Sequence, residues 1–222
     1  KLSTTDVIVA LGGGVVGDLA GFTAATYLRG IDFIQIPTSL LAQVDSSIGG
    51  KTGVDFEAYK NMVGAFYQPI LVYMNLSALL TFPEEVYLSA FGEIIKHGLI
   101  RDEELFHNLE ENIEKIKSRD IEYLADVVYR NCEIKRSVVE QDTKEQSIRV
   151  ILNLGHTIGH AIEKVSNFGL LHGECVAIGS IAAAYLSFKR GYITMETLDS
   201  IKALTQNIGL PIKASGLDAF DI

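Results

Sequence analysis

The stretch DVIVALGGGVVGDLAGFTAATYL, residues 6–28, carries the reading that decides the fold. It opens as a β-branched apolar run, breaks at a cluster of glycines, and resumes with apolar residues at helical spacing, so strand, glycine turn and helix follow in order. Working outward, DFIQIP (32–37) predicts a second strand closed by Pro37, and ILVYMN (70–75) a third. Between them TSLLAQVDSSIGGKTGVDFEAYKN (38–61) is too long for a turn and is expected to be a working loop, with Lys60 and Asn61 entering a further helix. Strands alternating with helical pattern imply an α/β unit with parallel strands.

After Leu76 the pattern changes. Ser77 and Pro83 are start signals, and apolar residues at spacings of three and four predict helix through SALLTFPEEVYLSAFGEIIKHGLI (77–100), then over 102–117, 119–141, 156–166, 172–190 and 194–207. SIRVILNL (147–154) reads equally as strand or as helical entry. The fold class expected is α/β plus all-α, with residues 1–76 as the C-terminal part of a parallel-sheet domain and 77–222 as a helical domain. A cleft between the two is the natural place for chemistry. The chain begins at Lys1 rather than Met, already close to a strand, and closes on GLDAFDI, so a piece cut from a longer protein is expected.

Composition narrows the function. The 222 residues are 48% hydrophobic, enough to bury a sizeable core, yet no run of about 18 uncharged apolar residues predicts a membrane span. Net charge is −9 with Lys and Arg scattered, which argues against nucleic acid as a partner. The two cysteines, Cys132 and Cys175, fit neither a disulfide framework nor a CxxC site, so a reducing cytoplasm is expected.

Four stretches point to chemistry. GGGVVGD (12–18) can offer backbone amides and a helix N-terminus to a pyrophosphate, or can be only a tight turn, since it lacks GxGxxG spacing. DSSIGGKTGVD (45–55) sets Lys51 behind two glycines as phosphate cradles do, although a solvated loop is the plainer alternative. In GEIIKHG (92–98), Glu93 and Lys96 share a helix face, as an intrahelical ion pair or as a metal-ligating carboxylate beside a lysine. NLGHTIGHAIEKVSNFGLLHGE (153–174) gathers three of the five histidines. His156 and His160 are four apart, the spacing of a metal-binding pair, with His172 following in a Gly-rich turn; two imidazoles and a carboxylate such as Glu93 would leave a coordination position open. Among Arg130, Lys135, Arg136, Lys144 and Arg149, most read as solvated helix-face charges. Arg149 stands alone seven residues before His156 and suggests an anionic substrate.

These segments also stand in a recognisable order. GGGVVGDLAGFTAATYLRG, IPTSLLAQVDSSIGGKTGVD, KNMVGAF, GEIIKHGLI, LNLGHTIGHAIE and HGECVAIG together closely resemble the 3-dehydroquinate synthase family, within the sugar-phosphate cyclases of the dehydroquinate synthase-like superfamily. The resemblance implies an NAD-binding α/β domain, a helical metal-binding domain, and zinc or cobalt between them. It implies Glu93, His156 and His172 as metal ligands, which displaces His160 from the pair that spacing suggests and puts it at a substrate phosphate. Lys51, Asn61 and Arg149 match phosphate-side positions, and Lys96, Lys135 and Asn153 match groups holding a carboxylate and hydroxyls. Gly13, Gly14, Asp18, Thr38, Ser39, Asp45 and Lys60 match cofactor-side positions. Arg29 matches an arginine that reaches a neighbouring subunit's site, implying a homodimer. The implied reaction converts 3-deoxy-D-arabino-heptulosonate 7-phosphate to 3-dehydroquinate and phosphate in the cytoplasm. Two departures stand out: FPEEV carries Glu85 and Val86 where the family has an Arg-Glu pair, and Gly92 replaces a common alanine before Glu93. The family also has upstream strands that grip the adenosine half of NAD, so this chain alone is expected to bind NAD poorly.

Overall fold

The computed structural model of the chain describes residues 3–57, 59–167 and 169–217, and the side chains of Tyr59 and Lys60 lie outside that description. Strand β1 (Ile8–Gly12) leads through a glycine turn into helix α1 (Gly14–Thr26), which returns the chain to β2 (Phe33–Pro37). β1 and β2 pair in parallel from Ile8↔Phe33 to Gly12↔Pro37, as a helical crossover requires. Fully buried Ala24 of α1 packs with Ile31 and Phe33 to close one side of the sheet.

Residues 38–61 are not a loop. Ser39 Oγ accepts the Ala42 amide at 3.3 Å, a π-helical turn spans Ala42–Ser46, and an antiparallel hairpin follows, β3 (Lys51–Phe56) with β4 (Tyr59–Phe66). Lys60 and Asn61 therefore lie in a strand, not at the start of a helix. The pattern is concealed because Gly53 and Gly64 face each other in the ladder, leaving both strands short of the β-branched residues by which strands are read. Strand β5 (Leu71–Val72) completes the parallel sheet, order β1-β2-β5, and is shorter than the expected 70–75. Beyond it the Asn75 side chain accepts the Ser77 amide at 3.0 Å and turns the chain into a short 3-10 segment, Leu76–Thr81.

The remainder is helical: α2 (Glu84–Ser89), α3 (Phe91–Arg101), α4 (Glu103–Glu111), α5 (Ile113–Ser118), α6 (Ile121–Gln141), α7 (His156–Val165), α8 (His172–Lys189) and α9 (Met195–Ile208). Asp102, Asp120 and Thr194 cap α4, α6 and α9, accepting the amides of Leu105, Tyr123 and Thr197 at 2.9, 3.1 and 3.1 Å. The helix expected over 102–117 breaks at Asn112, whose side chain donates to the Asn108 carbonyl at 2.9 Å while its backbone leaves helical geometry. Residues 148–153 settle as a 3-10 turn, the helical entry of the two open readings.

The main core joins α3, α6, α8 and α9 through Phe91, Ile94, Leu124, Val127, Ala177 and Leu204. Burying each large apolar side chain contributes about 1.5–3 kcal/mol. The buried stripe of α6 also holds Asn131 and Lys135, two polar groups that a purely structural face would not carry. Among the described residues no helix is long and apolar enough to cross a membrane.

Candidate functional site

Three helices converge on one carboxylate. Glu93 lies in the first turn of α3 and is fully buried, while His156 and His172 are the first residues of α7 and α8. Glu93 Oε1 is 3.3 Å from Nε2 of each histidine, and one ligand atom from each residue falls within 4.8 Å of the others. Glycines make this approach possible, because a Cβ on Gly92 would fall on the Gly173 carbonyl and one on Gly173 would fall on the Ser89 carbonyl. The departure at position 92 thus lies where α3 and α8 touch. Glu174 accepts the Leu171 amide at 2.7 Å and holds the turn that presents His172.

Glu93 makes the intrahelical ion pair with one oxygen and presents the other to the histidines, since a carboxylate has two. Oε1 faces the histidines, and Oε2 forms a buried ion pair with Lys96. Burial alone would raise the Glu93 carboxyl, but the Lys96 ammonium and the two imidazoles hold it well below the ordinary carboxylate range. Burial alone would lower His172, but the carboxylates of Glu163 and Glu93 raise it to about 9. His156 Nδ1 faces the Leu154 carbonyl, 3.2 Å away, an acceptor that would hold the ring proton there when Nε2 ligates a cation. One carboxylate oxygen and two imidazole nitrogens, convergent and partly buried, are a donor set that fits a zinc-like divalent cation. The spacing-based partner, His160, instead turns Nδ1 to Glu163 Oε2 at 3.3 Å.

Deeper in the same core lies an ionic cluster. Lys135 of α6 donates to the Asp45 carboxylate at 2.6 Å and to its carbonyl at 2.5 Å. Burial would raise Asp45, and the Lys135 ammonium brings it below its ordinary value. His97 Nδ1 meets Asn131 Oδ1 at 2.8 Å, and burial pushes this imidazole down to about 4.

A cavity of about 530 Å³ opens alongside, lined among others by Lys51, Asn61, Arg149, Lys135, Asp45 and Asp18. Arg149 is 1% exposed, a burial that an ordinary surface cation never reaches. Its guanidinium donates to the Thr143 and Gly49 carbonyls at 2.9 and 3.1 Å, and Gly49 needs its positive φ of 105° and its missing Cβ because the guanidinium occupies that space. Lys51 is ion-paired to Glu145, and Asn153 donates to the same carboxylate at 2.9 Å. Burial pushes Asp18 up to about 6, helped by the Asp45 charge.

The expected cofactor-side residues gather at the carboxyl ends of β1 and β2. Gly13 precedes α1, whose first amides have no side-chain cap, and the Thr38 amide donates to the Gly12 carbonyl at 2.9 Å. Ser39 Oγ and Ser46 Oγ lie 3.4 and 3.1 Å from where a Cβ on Gly13 and Gly14 would sit, so Gly13, Gly14, Thr38 and Ser39 form one small-residue surface. Uncapped amides at a helix start fit a pyrophosphate. The Lys60 side chain lies outside the described residues. Arg29 is exposed at the opposite end of α1, about 20 Å along the helix, and is not brought to this chain's own cavity. Arg130 and Arg136 pair with acidic neighbours on the surface, as expected of helix-face charges.

Sequence reasoning missed Glu145, Asp142 and Glu163. Glu163 had a usable signal: it is a lone acid in an apolar helix, on the same face as His156 and His160. Glu145 and Asp142 had none, because they act through a turn whose shape only the packed structure reveals.

Comparison with known proteins gives the family of the chain. Residues 1–89 match the family model for the 3-dehydroquinate synthase N-terminal region, and residues 90–221 match the model for the C-terminal region. A relative named 3-dehydroquinate synthase from Acetivibrio thermocellus is 52% identical over 218 residues, covering 98% of this chain and 61% of that protein. The chain thus spans about three fifths of the length of such relatives. A solved 2-epi-5-epi-valiolone synthase from Streptomyces hygroscopicus subsp. jinggangensis 5008, with NAD+ and Zn2+ bound, superposes with a TM-score of 0.90 at 28% identity, covering 96% of this chain and 60% of that one. A solved 2-deoxy-scyllo-inosose synthase complexed with carbaglucose-6-phosphate, NAD+ and Co2+ gives 0.86 at 30% identity, covering 99% and 60%. With the two family models together matching residues 1–221, the chain belongs to the 3-dehydroquinate synthase family.

Proposed function

We propose that the protein is a metal- and NAD-dependent 3-dehydroquinate synthase, a carbon–oxygen lyase converting 3-deoxy-D-arabino-heptulosonate 7-phosphate to 3-dehydroquinate and phosphate. The single observation that carries the reading is the convergence of Glu93, His156 and His172, linked through Asp45, whose carboxylate lies within 4.8 Å of that of Glu93, to a cavity lined by Lys51, Asn61 and Arg149. Bound zinc or cobalt would polarise a substrate carbinol while NAD+ takes and later returns its hydride, leaving no net oxidation. The chain's own residues do the rest by holding. Arg149, Lys51, Asn61 and His160 attract the phosphate, which leaves as the C–H acidified by the ketone gives its proton to a phosphate oxygen; reduction, ring opening and intramolecular aldol closure complete the carbocycle. Lys96, Lys135 and Asn153 take the carboxylate and hydroxyls, keeping the reacting atoms in register. The glycine turn at Gly13 and Gly14, with Asp18, Thr38, Ser39, Asp45 and Lys60, forms the NAD side.

This reading includes residues 1–76 as part of the NAD domain, 77–222 as the metal and substrate domain, a cytoplasmic homodimer, and Arg29 serving the neighbouring subunit. A second reading, a related cyclase acting on another sugar phosphate, is favoured by the likeness to inosose and valiolone synthases. Relatives about half identical that carry the 3-dehydroquinate synthase name weigh for the first. A metal- and NAD-dependent polyol dehydrogenase would have no use for the phosphate-side cations. The test is phosphate release from the heptulosonate phosphate by the full-length parent protein with NAD+, with and without chelator. Turnover indifferent to chelation, or none with this substrate alongside turnover of glucose 6-phosphate or sedoheptulose 7-phosphate, would sink it.

A further inference from the structure

We propose that Glu163 is the positioning residue of the metal centre, accepting the Nδ1 proton of His172 so that Nε2 stays aimed at Glu93, and drawing His160 to the same carboxylate. The inference rests on reading Glu93, His156 and His172 as ligands of a divalent cation. An imidazole ligates through one nitrogen when the other carries the proton, and an acceptor behind the ring fixes both the tautomer and the orientation.

His156 and His172 are matched in this respect. Each directs Nε2 at Glu93 Oε1 over 3.3 Å. Behind His156, Nδ1 meets the Leu154 carbonyl at 3.2 Å. Behind His172, the acceptor in the equivalent place is Glu163 Oε2, 3.7 Å from Nδ1, a distance that a small turn of the ring closes to a hydrogen bond. Glu163 is 4% exposed, so it is not a solvated surface charge, and an ionised carboxylate at that depth requires polar partners. The same oxygen lies 3.3 Å from His160 Nδ1. His156, His160 and Glu163 stand at spacings of four and three along α7, on one face. One helix thus supplies a ligand, and also the group that orients the ligand of the next helix and a histidine beside it.

The test titrates metal-free protein with Co2+, following affinity and the visible absorption bands, in wild type, E163L, E163D, E163Q and H156A. E163L and the shortened E163D are expected to lose about 10- to 100-fold in affinity with altered bands. E163Q, whose amide oxygen still accepts Nδ1–H, is expected to stay near wild type. Thermal unfolding in chelator identifies any variant that fails to fold, and if E163L does, E163D alone is compared with wild type. Wild-type affinity and bands in E163L and E163D overturn the proposal, and so does a loss in E163Q as deep as in E163L. If H156A alone loses Co2+, the ligand reading stands while the role of Glu163 falls; if wild type itself binds no Co2+, both fall.

Discussion

Glu93 shows how much one buried side chain can carry. Its two oxygens divide between a lysine and two imidazoles, so neutralising it should disturb both stability and metal binding. E93Q is expected to leave the Lys96 ammonium buried without an anion, costing about 3–5 kcal/mol by urea unfolding, and to abolish Co2+ binding in a spectroscopic titration. Asp18 behaves in the opposite sense. Burial and the Asp45 charge raise it from 3.8 to about 6, so the folded state favours its protonated form. Relative to a neutral side chain there, stability is greatest below the unfolded value of 3.8 and drains as pH rises through about 6. D18N should therefore raise Tm at pH 8 and leave it nearly unchanged at pH 4; an equal shift at both would remove charge as the cause.

At the scale of elements, the turn between α6 and the 3-10 segment does more than connect. Asp142 accepts the amides of Gln146, Ser147 and Arg149 at 2.9, 2.7 and 3.1 Å, and these bonds hold its carboxyl down at about 2. The folded value lies below the ordinary one, so its contribution is present above about pH 4 and is lost as pH falls through about 2. D142N should flatten that acid limb of the stability curve. Because the same turn presents Glu145 to Lys51 and the Thr143 carbonyl to Arg149, D142N in the full-length protein should also raise KM for the proposed phosphate-bearing substrate more than it lowers kcat. The packing of α8 against the end of α2 and the start of α3 is the other decisive contact. G173A places a methyl on the Ser89 carbonyl and is expected to cost about 1–3 kcal/mol and to weaken metal binding, read by denaturation and by Co2+ titration. Sequence pattern resolved these elements unevenly. Long amphipathic helices such as α6 and α9 follow from periodicity, whereas the hairpin of β3 and β4 does not, since its glycines carry no apolar alternation.

Across the whole molecule, the proposed cation would tie together α3, α7 and α8, elements that sequence separates. Saturating Zn2+ or Co2+ should raise Tm, by an amount equivalent to about 2.7 kcal/mol at a hundredfold excess over Kd, with chelator reversing it; an unchanged scanning-calorimetry trace would count against a ligand set here. The sequence alone determined the opening strand, glycine turn and helix, the long amphipathic helices after Leu76, and which side chains are chemically able to ligate a metal, because periodicity, glycine turns and side-chain chemistry are local properties; the phosphate-side and cofactor-side residues were implied by family resemblance. Spacing within one helix could only pair His156 with His160. That Glu93 and His172, 79 positions apart, meet at one point was decided by tertiary structure. The physical reason is packing: α3 meets α8 where Gly92 lies against the Gly173 carbonyl, and no local pattern encodes which two helix starts such a contact brings face to face.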